Sequence, residues 1–540
     1  MDSTLNREAG LARFRSGEFD LAVIGGGING AAIARDAAMR GLRVALVERA
    51  DFAGATSSRS SKLVHGGLRY LPQGQLKLVY EALRERERLC NLTAPHLVRP
   101  VRFLFPAYRG LGMGRFTMAI GLSLYDILAW TPRARRHRSI SAARVLELEP
   151  ALSAAALAGG STYYDAATDD ARITFENVLD AGLHGAAIAN YAAIEEFSRI
   201  GGKLAAAGVR DLIGGATFEL RAKTFVNAAG PWVDEIRKLD DPSVRPCVRL
   251  SKGVHLVFPR AAMPVREWVV LAVDAGRIVF IMPHDRYVLV GTTDTDYSDD
   301  PGAVAVAEAD VSYLLGVLAM RLPAIKLRAS DVAAGFAGLR ALVTAGGESS
   351  APSAVPREEV ILRAASGLIT VAGGKLTTHR EIAERVTDLA MSEIGRPKGV
   401  CPTKETPLPG ARTTDDASDS RALAELPEEP SQILIARHGT RASAIAGIAV
   451  ERPELAAPLA PGCLAIGAEA AYSARNEMAL SLEDFLIRRT SMSWRCPAEA
   501  IAAAPAAARI MGAELGWNAE RQRAETEQFT RGQTARRAAS

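Results

Sequence analysis

The segment Phe19 to Gly30, FDLAVIGGGING, constrains this chain more than any other. Phe19 to Ile24 reads as a short buried strand. Gly25, Gly27 and Gly30 then form a G-x-G-x-x-G turn, in which the backbone turns tightly, approaches a diphosphate and packs a helix against the sheet. Ala31, Ala32, Ile33, Ala34, Ala37 and Ala38 are small helix formers, and the amides at the start of their helix suit negative charge. Gly41 ends that helix. Arg43 to Glu48, RVALVE, is a second parallel strand. Glu48 lies eighteen residues after Gly30, where a carboxylate accepts hydrogen bonds from a ribose 2′-hydroxyl and repels a 2′-phosphate. The unit predicts an α/β dinucleotide fold, but by itself does not separate FAD from NAD.

With 540 residues and 48% hydrophobic content, the chain has material for two or three domains with real cores. The balance of 65 basic against 61 acidic residues, +4, is too mild to argue for nucleic acid. Cys90, Cys247, Cys401, Cys463 and Cys496 show no CxxC pair and no metal spacing, so they read as reduced thiols of a cytoplasmic chain and no metal is implied. The charged N-terminus lacks a signal-peptide core. The longest apolar run, Phe116 to Trp130, is fifteen residues broken by Gly121 and Asp126, where a spanning helix needs about twenty. Arg133, Arg135, Arg136 and Arg138 follow it. The pair reads either as a helix lying on an anionic membrane surface or as a buried cap helix with a solvated turn.

Further motifs narrow the reading: Thr56-Ser57-Ser58, Ser61-Lys62-Leu63, His65-Gly66-Gly67-Leu68-Arg69-Tyr70, Asp169-Asp170-Ala171-Arg172, Ala229-Gly230-Pro231-Trp232, Gly291-Thr292-Thr293-Asp294 and Gly373-Gly374-Lys375-Leu376-Thr377-Thr378. Together they resemble the FAD-dependent, quinone-linked glycerol-3-phosphate dehydrogenase family, from about Asp20 to Arg385 and more loosely through Glu483 to Thr490. The resemblance implies FAD as cofactor. It implies cofactor contacts from Gly25, Gly27, Asn29, Gly30, Glu48, Thr56, Ser57, Ser61, Lys62, Leu63, Gly230, Gly373, Gly374, Lys375 and Leu376. Membrane quinone as acceptor, a peripheral seat on the inner face of the cytoplasmic membrane and a homodimer are further implications.

The fold class expected is α/β: a glutathione-reductase-like FAD-binding Rossmann domain interleaved with a mixed-sheet substrate domain, plus a helical C-terminal domain. Residues 19–90, 161–230 and 364–396 are expected in the FAD domain, and 91–160 with 231–363 in the substrate domain. The Pro-, Thr- and Asp-rich stretch 397–420 reads as a linker, 421–540 as helical, with a polar end from about Asn518 that frays after one helix.

Oxidising a secondary alcohol beside a phosphate requires removal of the hydroxyl proton as hydride leaves the carbon. His255, in Gly-Val-His-Leu-Val on a strand, matches the family histidine that faces the flavin; the alternative is a core histidine. Arg69 and Tyr70 match an active-site pair, with the guanidinium polarising the developing alkoxide, and His65 is a second candidate near the flavin. Lys375 suits the negative charge of the reduced flavin. Arg340 and Arg357 match two phosphate-binding arginines. The family usually has Val-Arg-Pro where this chain has Leu339-Arg340-Ala341, and Ser-Arg where it has Pro356-Arg357 followed by Glu358 and Glu359. A larger polyol phosphate substrate, an oxygen-using oxidase and a non-catalytic flavoprotein remain the alternatives.

Overall fold

The computed structural model describes residues 5–110, 114–129, 135–273, 277–343, 359–412 and 417–538. Leu21–Ile24 and Val44–Val47 are buried along their whole length, as strands covered on both faces are. They lie inside a six-stranded sheet ordered Val360–Arg363, Ile369–Ala372, Phe225–Asn227, Leu21–Ile24, Val44–Val47, Ala187–Ala189, parallel except at the Val360–Arg363 edge. On one face the helices Ile28–Met39, Asp170–Leu183 and His379–Glu393 share a core that includes Ile33, Ala37, Phe175, Val178, Ile382 and Val386. The opposite face packs Phe14, Phe19, Leu220 and Phe225 beneath the Arg7–Ser16 helix and a second, four-stranded sheet.

The substrate side is a large mixed sheet. Val248–Pro259 pairs antiparallel with Tyr287–Gly291 and, on its other edge, with Ala334–Val343; Ile278–His284, Trp268–Ala272, Arg99–Tyr108 and Leu157–Ala167 extend it. Leu157–Ala167 crosses the boundary expected at 160, because it completes this sheet against Arg99–Tyr108 before the chain enters the Asp170–Leu183 helix.

The C-terminal region is helical, with Glu428–His438, Ala442–Glu451, Gly467–Asn476, Pro497–Leu515 and Ala519–Ala538 built around Leu482, Phe485, Met511 and Phe529, and around Leu434 and Ile445. One expectation needs correction. Much of the 397–420 stretch is packed rather than a free linker, since Cys401, Thr403, Leu408, Pro409 and Gly410 are buried and the Leu408 amide donates to the Thr93 carbonyl at 2.8 Å. The polar end forms the one helix expected there, Ala519–Ala538, anchored by Phe529 and Gln533. All five cysteines are free thiols. Among the described residues no helix is long and apolar enough to cross a membrane.

Candidate active site

A cavity of about 360 Å³ runs between the six-stranded sheet and the mixed sheet. Its first-domain wall includes Gly27, Asn29, Thr56, Ser57, Ser61, Leu63, Gly230, Gly373, Gly374, Lys375 and Leu376, all expected cofactor contacts. Gly25 and Gly30 act behind the wall. Gly25 has φ +106°, and a side chain on Gly30 would run into the Gly25 carbonyl, so the turn closes only with hydrogen at both positions. The N-cap residue of the Ile28–Met39 helix is Gly27, which has no capping side chain, and no acid occupies the first turn, so its positive end suits a diphosphate. Ser57 Oγ accepts from the Ile28 amide at 2.9 Å, and Asn29 Nδ2 donates to the Gly373 carbonyl at 3.2 Å. Glu48 sits at the strand end, accepting from the Gly26 amide at 2.6 Å and the Ala50 amide at 2.7 Å. Burial pushes its carboxyl up and these amides oppose that.

This donor set fits FAD: a glycine-capped helix end without an acid for the diphosphate, an acid for the ribose, and two glycine turns where the backbone approaches closely. Lys62 is the exception. Its ammonium is turned away from the cavity, buried against Asp170 Oδ1 at 2.6 Å and the Ser58 carbonyl, so the side chain is structural.

At the reacting end, His255 stands on Val248–Pro259 opposite Gly291 and Phe336. Its ring stacks on Phe336 with centroids 5.0 Å apart and leans over Gly291, where any side chain would collide with it. Ser61 Oγ lies 2.9 Å from Nε2, while Nδ1 meets no hydrogen-bond partner among the described residues. Burial, then the Arg340 and Lys62 charges, hold the imidazole well below its usual range, so it is neutral at pH 7. Arg340 pairs with Ser251 two strand positions beyond Gly253, and its guanidinium folds back over Gly253. Asp294 Oδ1 at 3.2 Å, Thr292 Oγ1 at 2.9 Å and the Thr293 carbonyl at 3.3 Å hold it there.

Lys375 caps the turn after Gly374, with Nζ 3.8 Å from the Tyr70 ring centroid. The His65 turn is fixed from three sides. Thr377 Oγ1 accepts from the His65 amide and donates to its carbonyl, and the Gly66 amide donates to Tyr125 OH at 2.8 Å and to Asp165 Oδ1 at 3.2 Å. Arg69 lies in the following 3₁₀ turn, Leu68–Gln73. Arg357 and Glu358 fall outside the described residues. Glu359 pairs with Arg385, so it is committed elsewhere than to the expected arginine.

Residues 20–389 match the FAD-dependent oxidoreductase family model, and residues 401–522 match the C-terminal domain of alpha-glycerophosphate oxidase. The aerobic glycerol-3-phosphate dehydrogenase of Staphylococcus haemolyticus is 37% identical over 505 residues, 90% of this chain and 89% of its own length. The chain belongs to the FAD-dependent glycerol-3-phosphate dehydrogenase family. Glycerol-3-phosphate dehydrogenase 2 of Mycobacterium tuberculosis is 39% identical over 521 residues, 95% of this chain and 88% of that one. In three dimensions the Bacillus halodurans glycerol-3-phosphate dehydrogenase complexed with FAD superposes with TM-score 0.78 at 30% identity, covering 100% of this chain and 98% of that one.

For a glycerol-3-phosphate dehydrogenase family member, several supporting groups escape sequence reading. Tyr125 and Arg86 join Asp165 at 2.7 and 2.8 Å, so residues forty and seventy-nine positions away brace the His65 turn. Asp294 belongs to a sequence motif, but its grip on Arg340 follows only from strand register. Gly253 and Gly291 are needed as empty space beneath Arg340 and His255, a signal visible in the sequence only as glycines inside strand runs.

Proposed function

We propose that this chain oxidises sn-glycerol 3-phosphate to dihydroxyacetone phosphate and passes the electrons to a membrane quinone. The observation that carries the substrate reading is the placement of the Arg340 guanidinium over Gly253, one same-face step from His255. Two residues along a strand span about 7 Å. That spacing suits a phosphate at one end and a nearby secondary hydroxyl at the other.

Arg340, prevented from swinging by Asp294 and Thr292, binds phosphate as a fixed fork. His255 receives the hydroxyl proton; bound phosphate offsets the Arg340 charge that lowers the imidazole's proton affinity. FAD supplies the hydride acceptor. Lys375 holds positive charge at the Gly373–Gly374 turn, and the braced His65 turn keeps Tyr70 beneath it.

The acceptor reading rests on the Arg115–Leu128 helix. Met118, Leu122 and Tyr125 face inward, while Phe116, Ile120 and Ile127 are 78%, 55% and 63% exposed. Leu76 and Tyr80, on the Leu76–Arg88 helix that packs beside it, are also exposed, and Arg136 and Arg138 lie exposed nearby. Apolar side chains beside cations suit an anionic lipid surface from which quinone is drawn. A dye-coupled assay over a panel of polyol phosphates tests the substrate. The largest kcat/KM is expected with sn-glycerol 3-phosphate, about 10- to 10²-fold above glycerol, which forfeits charge-assisted bonds of about 1.5–3 kcal/mol. A tetritol phosphate turned over faster contradicts this reading, and stoichiometric hydrogen peroxide in air without quinone contradicts the acceptor.

A further inference from the structure

Ser60, Ser61 and Lys62 follow one another, yet their side chains point to two different places. Ser60 and Lys62 both turn to Asp170, which is 0% exposed. Asp170 Oδ2 accepts from the Ser60 amide at 3.0 Å and the Ser60 hydroxyl at 2.7 Å; Oδ1 accepts from Lys62 Nζ at 2.6 Å and from the Ala171 amide at 2.8 Å. Ser60 Oγ in turn accepts from the Lys62 amide at 3.0 Å. Lys62 takes φ +59°, a left-handed conformation that a side-chain-bearing residue holds only when its surroundings impose it. The residue between them, Ser61, is thereby turned the other way, into the cavity, with Oγ 2.9 Å from His255 Nε2.

The same clamp touches His255 from behind. Lys62 Nζ lies 5.3 Å from the centre of the Phe336 ring, and Phe336 stacks on the imidazole. The charged groups that act on His255 are Lys62, tied to Asp170, and Arg340, tied to Asp294. Asp170 therefore controls both neighbours of the imidazole on this side: the hydroxyl at Nε2 and the cation behind the ring.

We propose that Asp170 is a positioning residue that acts through Ser61: by clamping Ser60 and Lys62 it holds the Ser61 hydroxyl on His255 Nε2, and that hydrogen bond selects the ring orientation and tautomer in which His255 receives the substrate proton. Ser61 Oγ lines the cavity and donates to Nε2, whereas Nδ1 is buried; as the C2 hydroxyl gives its proton to Ser61 Oγ, Ser61 passes its own to the Nε2 lone pair. The C2 hydride leaves to the flavin, a C=O bond forms, and the proton ends on His255 as imidazolium, balancing charge and electrons. Asp170 gains and loses nothing.

The inference rests on His255 as proton acceptor, and the test separates the two. FAD-loaded wild type, His255→Ala, Ser61→Ala, Ser61→Thr, Asp170→Asn and the Ser61→Ala/Asp170→Asn double variant are reduced anaerobically with sn-glycerol 3-phosphate across pH 5.5 to 9. Ser61→Ala should slow reduction about 10- to 10²-fold with substrate KM changed less than about threefold, and should shift the apparent pKa of the rate profile. Ser61→Thr, which keeps a hydroxyl, should retain most of the rate. Asp170→Asn should show the same shift, and the double variant should be no slower than the slower single one, since both remove one interaction. Multiplicative losses in the double variant, or a Ser61→Ala profile that coincides with wild type, overturn the inference. If His255→Ala itself reduces at the wild-type rate, the proton-acceptor assignment falls and this inference with it. If His255→Ala is slow and Ser61→Ala is not, only the inference falls.

Discussion

Two buried regions of this protein are rich in charge and differ in where the charge is spent. At the joint between the helical C-terminal region and the first domain, buried charges are matched by protein groups of opposite sign. Arg172 grips Glu477 through both Nη atoms at 2.9 and 2.5 Å, Arg489 grips Asp51 twice at 2.8 Å, Arg488 bridges Asp51 and Asp484, and Glu469 holds Arg437 and His438. Burial alone would raise the Glu469 carboxyl; Arg437 and His438 overcome it and hold it at about 2. At the cavity, the carboxylates Asp165 and Asp170 are saturated by protein donors, while Arg340 and Lys375 line the open space. Matched charge joins domains. Cations that line a cavity, Arg340 with Asp294 behind it and Lys375 over Tyr70, suit an anionic ligand.

The comparison breaks most readily at His255. His255→Ala is expected to slow flavin reduction by roughly 10²–10⁴-fold while the melting temperature and FAD content stay near wild type. A large loss of stability with normal chemistry would move His255 into the structural class. The converse variant is Arg172→Met, which leaves Glu477 buried without its fork; a loss of about 3–5 kcal/mol is expected in denaturant unfolding, with turnover per FAD retained in what stays folded. Unchanged stability there would show that the joint is held by its apolar packing.

Acid should attack the joint first. Burial and the Arg172 charge push His438 down to about 4, and burial lowers His96 and His379 to about 4 as well. A histidine whose folded pKa is depressed contributes stability that is full above its unfolded value near 6.5 and is lost as pH falls toward about 4. The melting midpoint should therefore drop steadily across that window, with Glu469 adding to the loss below about 4.5 as pH falls toward its folded value of about 2. A flat profile from pH 7 to 4 contradicts the assignment.

Smaller effects sharpen the cavity side. Arg340→Ala should raise KM for the phosphorylated substrate about 10- to 100-fold, a loss of about 1.5–3 kcal/mol, with FAD content unchanged. An unaltered KM removes Arg340 from the site. Last, Phe116→Glu with Ile120→Glu should release the protein from anionic vesicles and lower quinone reduction, yet leave dye turnover within about twofold, because both side chains are exposed. Loss of dye activity would show that the helix face is core.

What was legible in the sequence follows from distance along the chain. The glycine turn, the small-residue helix and Glu48 form one local unit whose chemistry is written in consecutive residues, and the fold brings them together. Motifs at 56–70, 229–232 and 373–378 were readable as pieces, and all converge on one cavity. Which way a side chain turns was not readable. Lys62 sits between two cavity-facing residues, Ser61 and Leu63, yet its left-handed backbone and Asp170 carry it away. The braces Tyr125 and Arg86 come from separate helices, and the fold of Arg340 over Gly253 depends on the Ser251–Arg340 register, which no local pattern encodes. The packed part, residues 401–412, reads as a linker because proline, threonine and charged residues are frequent around it, while burial there rests on single residues such as Leu408.

The central claim is that His255 and Arg340 face a flavin across one cavity and together oxidise a small phosphorylated secondary alcohol. Anaerobic mixing of the purified holoprotein with sn-glycerol 3-phosphate tests it most directly. The account predicts complete bleaching of the oxidised flavin band with one dihydroxyacetone phosphate formed per FAD. An oxidised flavin spectrum that persists at saturating substrate would contradict it.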